Sequence, residues 1–496
     1  MKDKDSRILR KRKGKLARRL ARKQWSDQKR PMFSARAITY EMADRTTAIG
    51  CGGIGAFHML SVNIGLAKRI DAALELLKKH LPYHESDHVL NMAYNALAGG
   101  TCLDHLELLR NDESYMDALG AQRIPDPTTA GDFTRRFSPQ DVMALLDAIN
   151  EIRPNLWKKR LSRSERELGI IDADGTAAPT TGECKEGMNI DHDGIWGYQP
   201  LVVSLANTQE PLYIINRPGN RPSHDGAAEY LGRAAWLVSK AFRQICYRGD
   251  TDFSQTVHFD RWHNADRLFA FGFDAMPKLV EIAESLDSIK WKPLERQAKG
   301  DVKARPRRRP DNVKERIIIE REYENIKLLG EDVAQFSYRP GKCTRDYRVV
   351  VLRKNLTVMK GERRLFDDVR YFFYITNIDT MSAPEIVFFC NDRCNQENLI
   401  QQLKNGLNAI RAPVGDLVSN WAYMVIVSLA WTLKAWFALL VRGTRDRDKL
   451  LAMEFRTFLN ALVRIPCQIV KTGRQLIYRV LGYNGCSIFG AYARAA

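Results

Sequence analysis

Hydrophobic and polar positions alternate along this chain with two different periods, and the period changes near residue 168. From residue 34 to residue 160, apolar residues recur every three or four positions, which predicts helices. The clearest helical periods run over residues 69–81, 89–97 and 103–109, and residues 124–129 form a turn that ends in a helix cap. This region is predicted to be a helical N-terminal domain.

After residue 168, short apolar runs predict β-strands separated by helices. The predicted strands cover residues 168–176, 201–206, 212–216, 245–247 and 269–273, and the predicted helices cover residues 227–242 and 277–286. Strands that alternate with helices along a chain indicate an α/β core. Acidic residues follow two of these strands, and strand ends are where such folds place their sites.

The next part of the chain returns to strand-like runs. Residues 317–319, 333–338, 347–352 and 371–376 predict a β-rich insertion, and residues 386–389 predict a buried strand. The helix predicted after that strand has an apolar stripe formed by Leu399, Ile400, Leu403 and Leu407.

A long apolar helix is predicted at residues 415–442, and the last fifty residues are predicted to be helical and basic. The uninterrupted apolar run covers residues 421–433 and ends at Lys434 after 13 residues. Because a bilayer span needs about 20 residues, this pattern predicts a helix buried in the protein and no membrane span.

The charge of the chain points to a polyanionic partner. The formal net charge is +18, and residues 1–33 contain 14 Lys and Arg against 3 Asp. Nucleic acid is the partner that such an excess favours, and an anionic membrane surface is the alternative. The basic arm is predicted to fold against a phosphate backbone, or else to be a solubilising tail. The basic stretch 299–316 is predicted to be an exposed loop, either a DNA contact or a linker.

Nine scattered cysteines without a Cys-x-x-Cys pair argue for reduced thiols in the cytoplasm.

Two motifs match known patterns without their expected surroundings. Residues 50–55 fit the dinucleotide fingerprint, but no apolar strand precedes them, so a flexible linker is the preferred interpretation. Residues 84–88 fit the zinc-protease pattern His-Glu-x-x-His, but a charged helix start is preferred over a zinc site.

Three separate stretches bring carboxylates to the predicted core. Asp172 and Asp174 lie two residues apart in one strand and so share a face, and Asp250 follows the strand at residues 245–247. Glu397 lies on the helix after residue 391. Three acids without histidine or cysteine ligands favour Mg²⁺ or Mn²⁺, and two such ions can promote phosphodiester cleavage.

Cations accompany the third acid. Arg393 and Lys404 lie on the same helix face as Glu397, which suits a metal-binding acid between groups that grip phosphates. An ordinary solvated face is the alternative for these three residues. For the aspartates, the alternatives are a turn cap at Asp172 or Asp174 and an ion pair between Asp250 and Arg248.

The sequence resembles the DDE transposases of bacterial insertion sequences, which have an RNase H-like catalytic core. The matching stretches are Ile171-Asp172-Ala173-Asp174-Gly175-Thr176, residues 247–253, and Arg393-x3-Glu397-x6-Lys404. The last is similar to the family signature Tyr-x2-Arg-x3-Glu-x6-Lys, with Cys390 at the tyrosine position. The likeness covers most of residues 35–440.

The resemblance implies that Asp174, Asp250 and Glu397 bind two Mg²⁺ or Mn²⁺ ions. Arg393 and Lys404 would hold the phosphates of the transposon ends, and Arg248 is also assigned to DNA binding. Asp172 remains an alternative first ligand, although the adjacent Gly-Thr favours Asp174.

The expected activity is cleavage at terminal inverted repeats followed by strand transfer into target DNA. The expected partners are double-stranded transposon-end and target DNA and a second copy of the chain, and the expected location is the bacterial cytoplasm, at the nucleoid. A structure-dependent nuclease and a non-catalytic DNA-binding protein derived from a transposase are the competing functions.

Six segments follow from the pattern and the resemblance together. They are a basic arm (1–33), a helical N-terminal DNA-binding domain (34–160), the first part of an RNase H-like α/β catalytic core (161–290), a basic loop and β-rich insertion (291–384), the second part of the core (385–442), and a helical basic C-terminal region (443–496).

Overall fold

The computed structural model describes residues 3–20, 46–191, 193–296, 313–441, 443–473 and 475–482. Its α-helices, numbered in chain order, are α1 Asp3–Leu20, α2 Ile54–Asn63, α3 Leu66–Ala73, α4 Glu85–Ala98, α5 Leu106–Arg110, α6 Glu113–Leu119, α7 Pro127–Thr134, α8 Pro139–Asn150, α9 Arg153–Arg160, α10 Ala227–Ser239, α11 Phe259–Asn264, α12 Pro277–Glu284, α13 Val313–Glu320, α14 Ala383–Asn391, α15 Cys394–Gln401, α16 Leu417–Leu440, α17 Thr444–Leu451 and α18 Phe455–Phe458.

The strands are numbered in the same way. They are β1 Ala48–Ile49, β2 Leu168–Gly175, β3 Ala178–Pro179, β4 Asn189–Ile190, β5 Trp196–Tyr198, β6 Leu201–Leu205, β7 Glu210–Ile215, β8 Gln244–Gly249, β9 Arg267–Phe273, β10 Lys292–Pro293, β11 Glu324–Tyr338, β12 Tyr347–Lys360, β13 Arg363–Thr376, β14 Cys467–Thr472 and β15 Gln475–Val480. The mixed α/β class and the long strands between Asp250 and Glu397 agree with the sequence-based prediction.

The chain divides into two compact units. The first combines residues 1–165, 176–222 and 398–496, and the second combines residues 166–175 and 223–397. Each unit draws on separate parts of the chain, whereas the six predicted segments are contiguous, and their boundaries stay a prediction. Residues 21–33 of the predicted basic arm and residues 299–312 of the predicted basic loop lie outside the described residues.

A large mixed sheet forms the second unit. Its strands lie in the order β10-β11-β12-β13-β9-β8-β2, with β2, β8 and β9 parallel and the remaining pairs antiparallel. Helix α14 packs on β9, β11, β12 and β13, while α10 packs on β2 and β8. Side chains of β8 alternate between these helices. Cys246 belongs to a core cluster with Ile386 and Val387 of α14, and Tyr247 lines a cavity with Trp236 of α10.

A single buried helix, α16, organises the core of the first unit. Helices α2, α4, α7, α8, α9 and α17 and strand β7 all pack against it. The helix is long and apolar enough to cross a membrane by length and composition, and 94% of its most apolar stretch is buried inside the protein. Burial by other elements of its own unit accounts for its composition.

The buried helix predicted at residues 415–442 is present as α16, and the protein accommodates Lys434 in its interior. The side chain of Lys434 is 1% exposed, its Nζ donates a hydrogen bond to the carbonyl of Leu451 (2.8 Å), and it lies 3.8 Å from the centre of the Trp431 ring. These contacts let the helix continue to Leu440.

Two predicted strands are helices instead. Residues 386–389 belong to α14, which begins with a capping box: the Ser382 hydroxyl accepts a hydrogen bond from the Glu385 amide, and the Glu385 carboxylate accepts one from the Ser382 amide. Residues 317–319 belong to α13, where Arg316 and Glu320 form an ion pair across one turn (3.2 Å). In both cases the local capping or pairing outweighs the β-branched composition.

The predicted helical C-terminal region is only partly helical. Strands β14 and β15 form a hairpin, and β14 pairs with β1, more than 400 residues earlier in the chain. The predicted flexible linker at residues 50–55 is also wrong. The amides of Gly52 and Gly53 donate hydrogen bonds to the carbonyls of Ile465 (2.7 Å) and Val463 (3.0 Å), and a Cβ on either glycine would collide with this backbone. Close packing requires these glycines.

Candidate active site

The parallel pairing of β2 and β8 brings two acidic residues to the same edge of the sheet. Asp172 lies opposite Arg248 in this register, so Asp174 and Asp250 both follow at the carboxyl ends of neighbouring strands. Asp250 also caps the short 3-10 turn at residues 251–253, with its Oδ1 accepting a hydrogen bond from the amide of Asp252 (3.1 Å). Strand ends of this kind are the usual position of sites in α/β folds.

The guanidinium of Arg393 lies among all three predicted metal-binding carboxylates. Its Nη1 is 3.4 Å from Oδ2 of Asp174 and 3.6 Å from Oδ2 of Asp250, and its Nη2 is 3.0 Å from Oε1 of Glu397. The two aspartate oxygens therefore lie no more than 7.0 Å apart. Asp174 and Asp250 thus meet Arg393 at one place, although they precede it in the chain by 219 and 143 residues.

Helices α14 and α15 deliver Arg393 and Glu397 to the sheet edge. Arg393 lies in the short break between the two helices, and Glu397 lies in the first turn of α15. A carboxylate is favoured at a helix N-terminus by the backbone dipole. The side chain of Glu397 is 52% exposed, against 15% for Asp174 and 33% for Asp250. The site is therefore open to solvent on the side of Glu397.

Crowding of like charges marks this site electrostatically. The pKa of Asp174 is raised to about 7, first by burial and then by the nearby carboxylates of Asp250 and Glu397, while Arg393 opposes the rise. Burial also raises the pKa of Asp250, while Arg393 opposes that rise. One guanidinium does not neutralise three carboxylates, so the site favours additional positive charge.

The side chain of Arg248, which the sequence analysis assigned to DNA binding, is buried in the protein. It forms a two-pronged ion pair with Asp172, with Nε 2.7 Å from Oδ1 and Nη2 2.8 Å from Oδ2. Its Nη1 donates a hydrogen bond to the carbonyl of Phe389 in α14 (2.8 Å). The Asp172 carboxylate is fully engaged in this pair, which leaves Asp174 as the acid that faces Arg393.

Lys404 belongs to the first unit. It lies in a π-helical turn that continues α15 over residues 402–406, and its Nζ donates a hydrogen bond to the hydroxyl of Thr176 (3.2 Å). Burial lowers the pKa of Lys404, and Arg411 lowers it further. Its assigned contact with DNA stays a prediction.

A cavity of about 350 Å³ adjoins Asp250 and Arg393. Aromatic residues 371–374 of β13 line it, together with Asn391 and Cys390. The hydroxyl of Tyr374 donates a hydrogen bond to the side-chain oxygen of Asn391 (3.3 Å), and burial raises the pKa of Tyr374 to about 12. Sequence analysis missed Tyr374. In the sequence it is one of several aromatic residues in a predicted strand, and nothing distinguishes it from the others.

Cys390 stands at the tyrosine position of the family signature, and the structure buries it in α14. Burial raises the pKa of its thiol to about 12, so the group is neutral and uncharged in this core. The thiol therefore does not supply an ionised ligand. Tyr371 and Tyr374 are phenols that line the cavity beside Arg393.

The chemistry of the donor set fits a divalent cation with a preference for oxygen. Asp174, Asp250 and Glu397 offer carboxylate oxygens only, and the pKa of Asp174 is raised first by burial and then by the neighbouring carboxylate of Asp250. Carboxylates are the protein ligands that Mg²⁺ and Mn²⁺ prefer. These three residues are the ones that would hold such a cation.

Comparison with known proteins identifies the family of the chain. The chain belongs to the family described as transposase DDE domain group 1, whose model matches residues 46–483. No curated protein matches the chain. Among solved structures, the cryo-EM structure of the piggyBac transposase synaptic complex with hairpin DNA aligns with 83% of this chain and 81% of that chain, at 8% sequence identity and a TM-score of 0.36.

The protein is therefore a transposase with a DDE domain, as its sequence predicted. Membership of this family implies that the protein binds DNA, and domains of this family generally use divalent metal ions.

Proposed function

We propose that the protein is a cut-and-paste transposase that binds the terminal inverted repeats of its insertion sequence, cleaves them and joins them to target DNA. The convergence of Asp174, Asp250 and Glu397 on Arg393 is the observation that supports this proposal most directly. An RNase H-like core is supported by the parallel strands β2, β8 and β9 with acids at two strand ends.

In this proposal, Asp174, Asp250 and Glu397 hold two Mg²⁺ or Mn²⁺ ions. When bound, such ions activate water or a 3′-hydroxyl and stabilise the leaving oxygen of a phosphodiester. Arg393 exchanges its carboxylate contacts for a phosphate oxygen of the DNA end, because its guanidinium can bind either anion in the same fork geometry. Lys404 contacts the DNA backbone as a second cation.

Asp172 and Arg248 support the site from behind. Their ion pair joins β2 to β8, and the bond from Arg248 to Phe389 joins both strands to α14. The strands carry Asp174 and Asp250, while α14 leads into Arg393 and Glu397. The pair therefore fixes the spacing of the acids without contacting substrate.

The decisive experiment is cleavage of the element's own end DNA by the purified protein in Mg²⁺. We expect Asp250→Asn and Glu397→Gln each to lower cleavage by at least about a thousandfold while DNA binding persists, because each removes an anionic ligand. Glu281→Gln is the matched control, since Glu281 is an exposed carboxylate on α12 of the same unit. Full activity in both active-site variants would remove the mechanism.

The products of the reaction separate the competing functions. Joined donor and target strands support a transposase, whereas cleavage without joining supports a structure-dependent nuclease. Specific end binding with no metal-dependent cleavage by the wild type supports a non-catalytic DNA-binding protein derived from a transposase.

We further propose that the protein acts as a homodimer on paired ends in the bacterial cytoplasm, at the nucleoid. Crosslinking with and without end DNA tests the dimer.

A further inference from the structure

A buried glutamate anchors an irregular segment of the first unit to α4. Residues 74–84 connect α3 to α4 without regular secondary structure. Glu85, the first residue of α4, is 1% exposed, and its Oε1 accepts hydrogen bonds from the amides of Leu76 (3.0 Å) and Leu77 (2.9 Å). These bonds fix the carboxylate and leave Oε2 for other partners.

Two exposed histidines of the same segment gather at that second oxygen. Nε2 of His80 lies 3.1 Å from Oε2 of Glu85, and the rings of His80 and His84 stack with centroids 4.3 Å apart. One nitrogen of each histidine and one oxygen of Glu85 all lie within 4.8 Å of one another. His84 is the N-cap residue of α4, and its stacking on His80 places both rings next to Glu85.

We propose that His80, His84 and Glu85 bind a zinc ion that clips residues 74–84 to α4. Two imidazoles and one carboxylate form a zinc ligand set, and a water completes the tetrahedron. Ligand atoms of a tetrahedral zinc are about 3.4 Å apart, so the 3.1 Å separation of His80 and Glu85 needs little adjustment. The two amide bonds to Oε1 orient the carboxylate, as hydrogen bonds commonly do for metal ligands.

The ligands differ from those of the His-Glu-x-x-His pattern in the sequence. His88, its second histidine, is buried, stacks on Phe133 at 4.3 Å, and has no hydrogen-bond partner for Nδ1 among the described residues. Burial lowers the pKa of His88 to about 4. The helix start that the sequence analysis preferred is present at Glu85, and the proposed metal site uses Glu85 together with two histidines that precede it.

Titration of the full chain with Zn²⁺ tests this proposal without any assay of activity. Calorimetry is run in excess Mg²⁺, which occupies the carboxylate site but competes poorly for imidazole. We expect one zinc ion per chain, and we expect His80→Ala and His84→Ala each to weaken its binding by at least about tenfold. Zn²⁺ should also raise the melting temperature of the wild type and not of either variant.

Three further samples make the result decisive. His263→Ala, at an exposed histidine of the other unit, and His88→Phe, which keeps a ring against Phe133, should both retain zinc binding. Co²⁺ bound in place of zinc should give a spectrum without thiolate charge-transfer bands, which separates this site from the exposed thiols of Cys102, Cys184 and Cys394. Zinc affinity unchanged in both His80→Ala and His84→Ala, or lost only in His88→Phe, overturns the proposal.

Discussion

The guanidinium of Arg248 forms a buried bidentate ion pair with the carboxylate of Asp172, with Nε 2.7 Å from Oδ1 and Nη2 2.8 Å from Oδ2. This pair lies directly behind the candidate active site, because Asp172 precedes Asp174 by two residues and Arg248 precedes Asp250 by two. Two acids that share a strand face therefore have separate tasks. Asp172 braces the strands, and Asp174 faces Arg393.

Arg248→Met should destabilise the second unit by about 3–5 kcal/mol, because the substitution leaves Asp172 as an unpaired buried charge. The double variant Asp172→Leu/Arg248→Met should be more stable than Arg248→Met, since no charge remains buried. Thermal and urea unfolding of the three proteins measure this, with Arg243→Met as the control for an exposed arginine in an ion pair. A double variant less stable than Arg248→Met contradicts the explanation.

Asp174→Asn should stabilise the protein at pH 8 in metal-free buffer. The pKa of Asp174 is raised to about 7 in the folded protein, so between the unfolded value near 3.9 and about 7 the folded state binds more protons. Folding free energy is therefore lost as the pH rises through this window, by up to about 4 kcal/mol at pH 8. Asparagine carries no charge and avoids this loss.

The test compares melting temperatures of wild type, Asp174→Asn and Glu281→Gln from pH 5 to pH 8. The advantage of Asp174→Asn should be about 1.5 kcal/mol at pH 5 and should grow to about 4 kcal/mol at pH 8, while Glu281→Gln should follow the wild type. An advantage that does not change with pH would mean that Asp174 is not under electrostatic strain.

Mg²⁺ should relieve the same repulsion. At pH 8, saturating Mg²⁺ should raise the melting temperature of the wild type by a few degrees, since about hundredfold excess over the dissociation constant stabilises a folded protein by about 2.7 kcal/mol. The rise should be smaller at pH 5.5, where Asp174 is protonated. Asp250→Asn and Glu397→Gln should lose most of it. An equal rise in all three proteins would assign Mg²⁺ to another site.

The sequence was sufficient to pick out three acids that the fold brings together around Arg393, because each has a local signal. Asp174 and Asp250 end apolar runs, and Glu397 lies between cations on a helix, so each could be found from its own neighbours. The burial of Arg248 could not be found from its neighbours in the sequence. It depends on Asp172 in one strand and on Phe389 in a helix 141 residues later. An arginine beside an acidic motif in a basic protein looks like a DNA contact until its partners are known.

The errors in the fold have the same origin. Residues 386–389 form part of a helix because Ser382 and Glu385 cap it, a signal that was present in the sequence but was outweighed by apolar composition. Strand β14 needs β1 as its partner, and no local pattern reports a partner so distant. The buried helix at residues 415–442 was predicted correctly although Lys434 interrupts its apolar run, and the fold supplies a carbonyl and an aromatic face for that lysine.

Lys434→Met should remove a pH dependence of stability. Burial lowers the pKa of Lys434 to about 7, so between that value and the unfolded value near 10.4 the unfolded chain binds more protons than the folded one. The free energy of unfolding should therefore rise with pH in this window, by up to about 1.4 kcal/mol per pH unit. Lys434→Met should be more stable than the wild type at pH 7, and its advantage should shrink toward pH 10.

Lys449→Met, at an exposed lysine of α17, is the matched control. The free energy of unfolding is measured at pH 7, 8.5 and 10. If it depends on pH in the same way for the wild type and for Lys434→Met, the ammonium stays charged inside the protein, stabilised by Leu451 and Trp431.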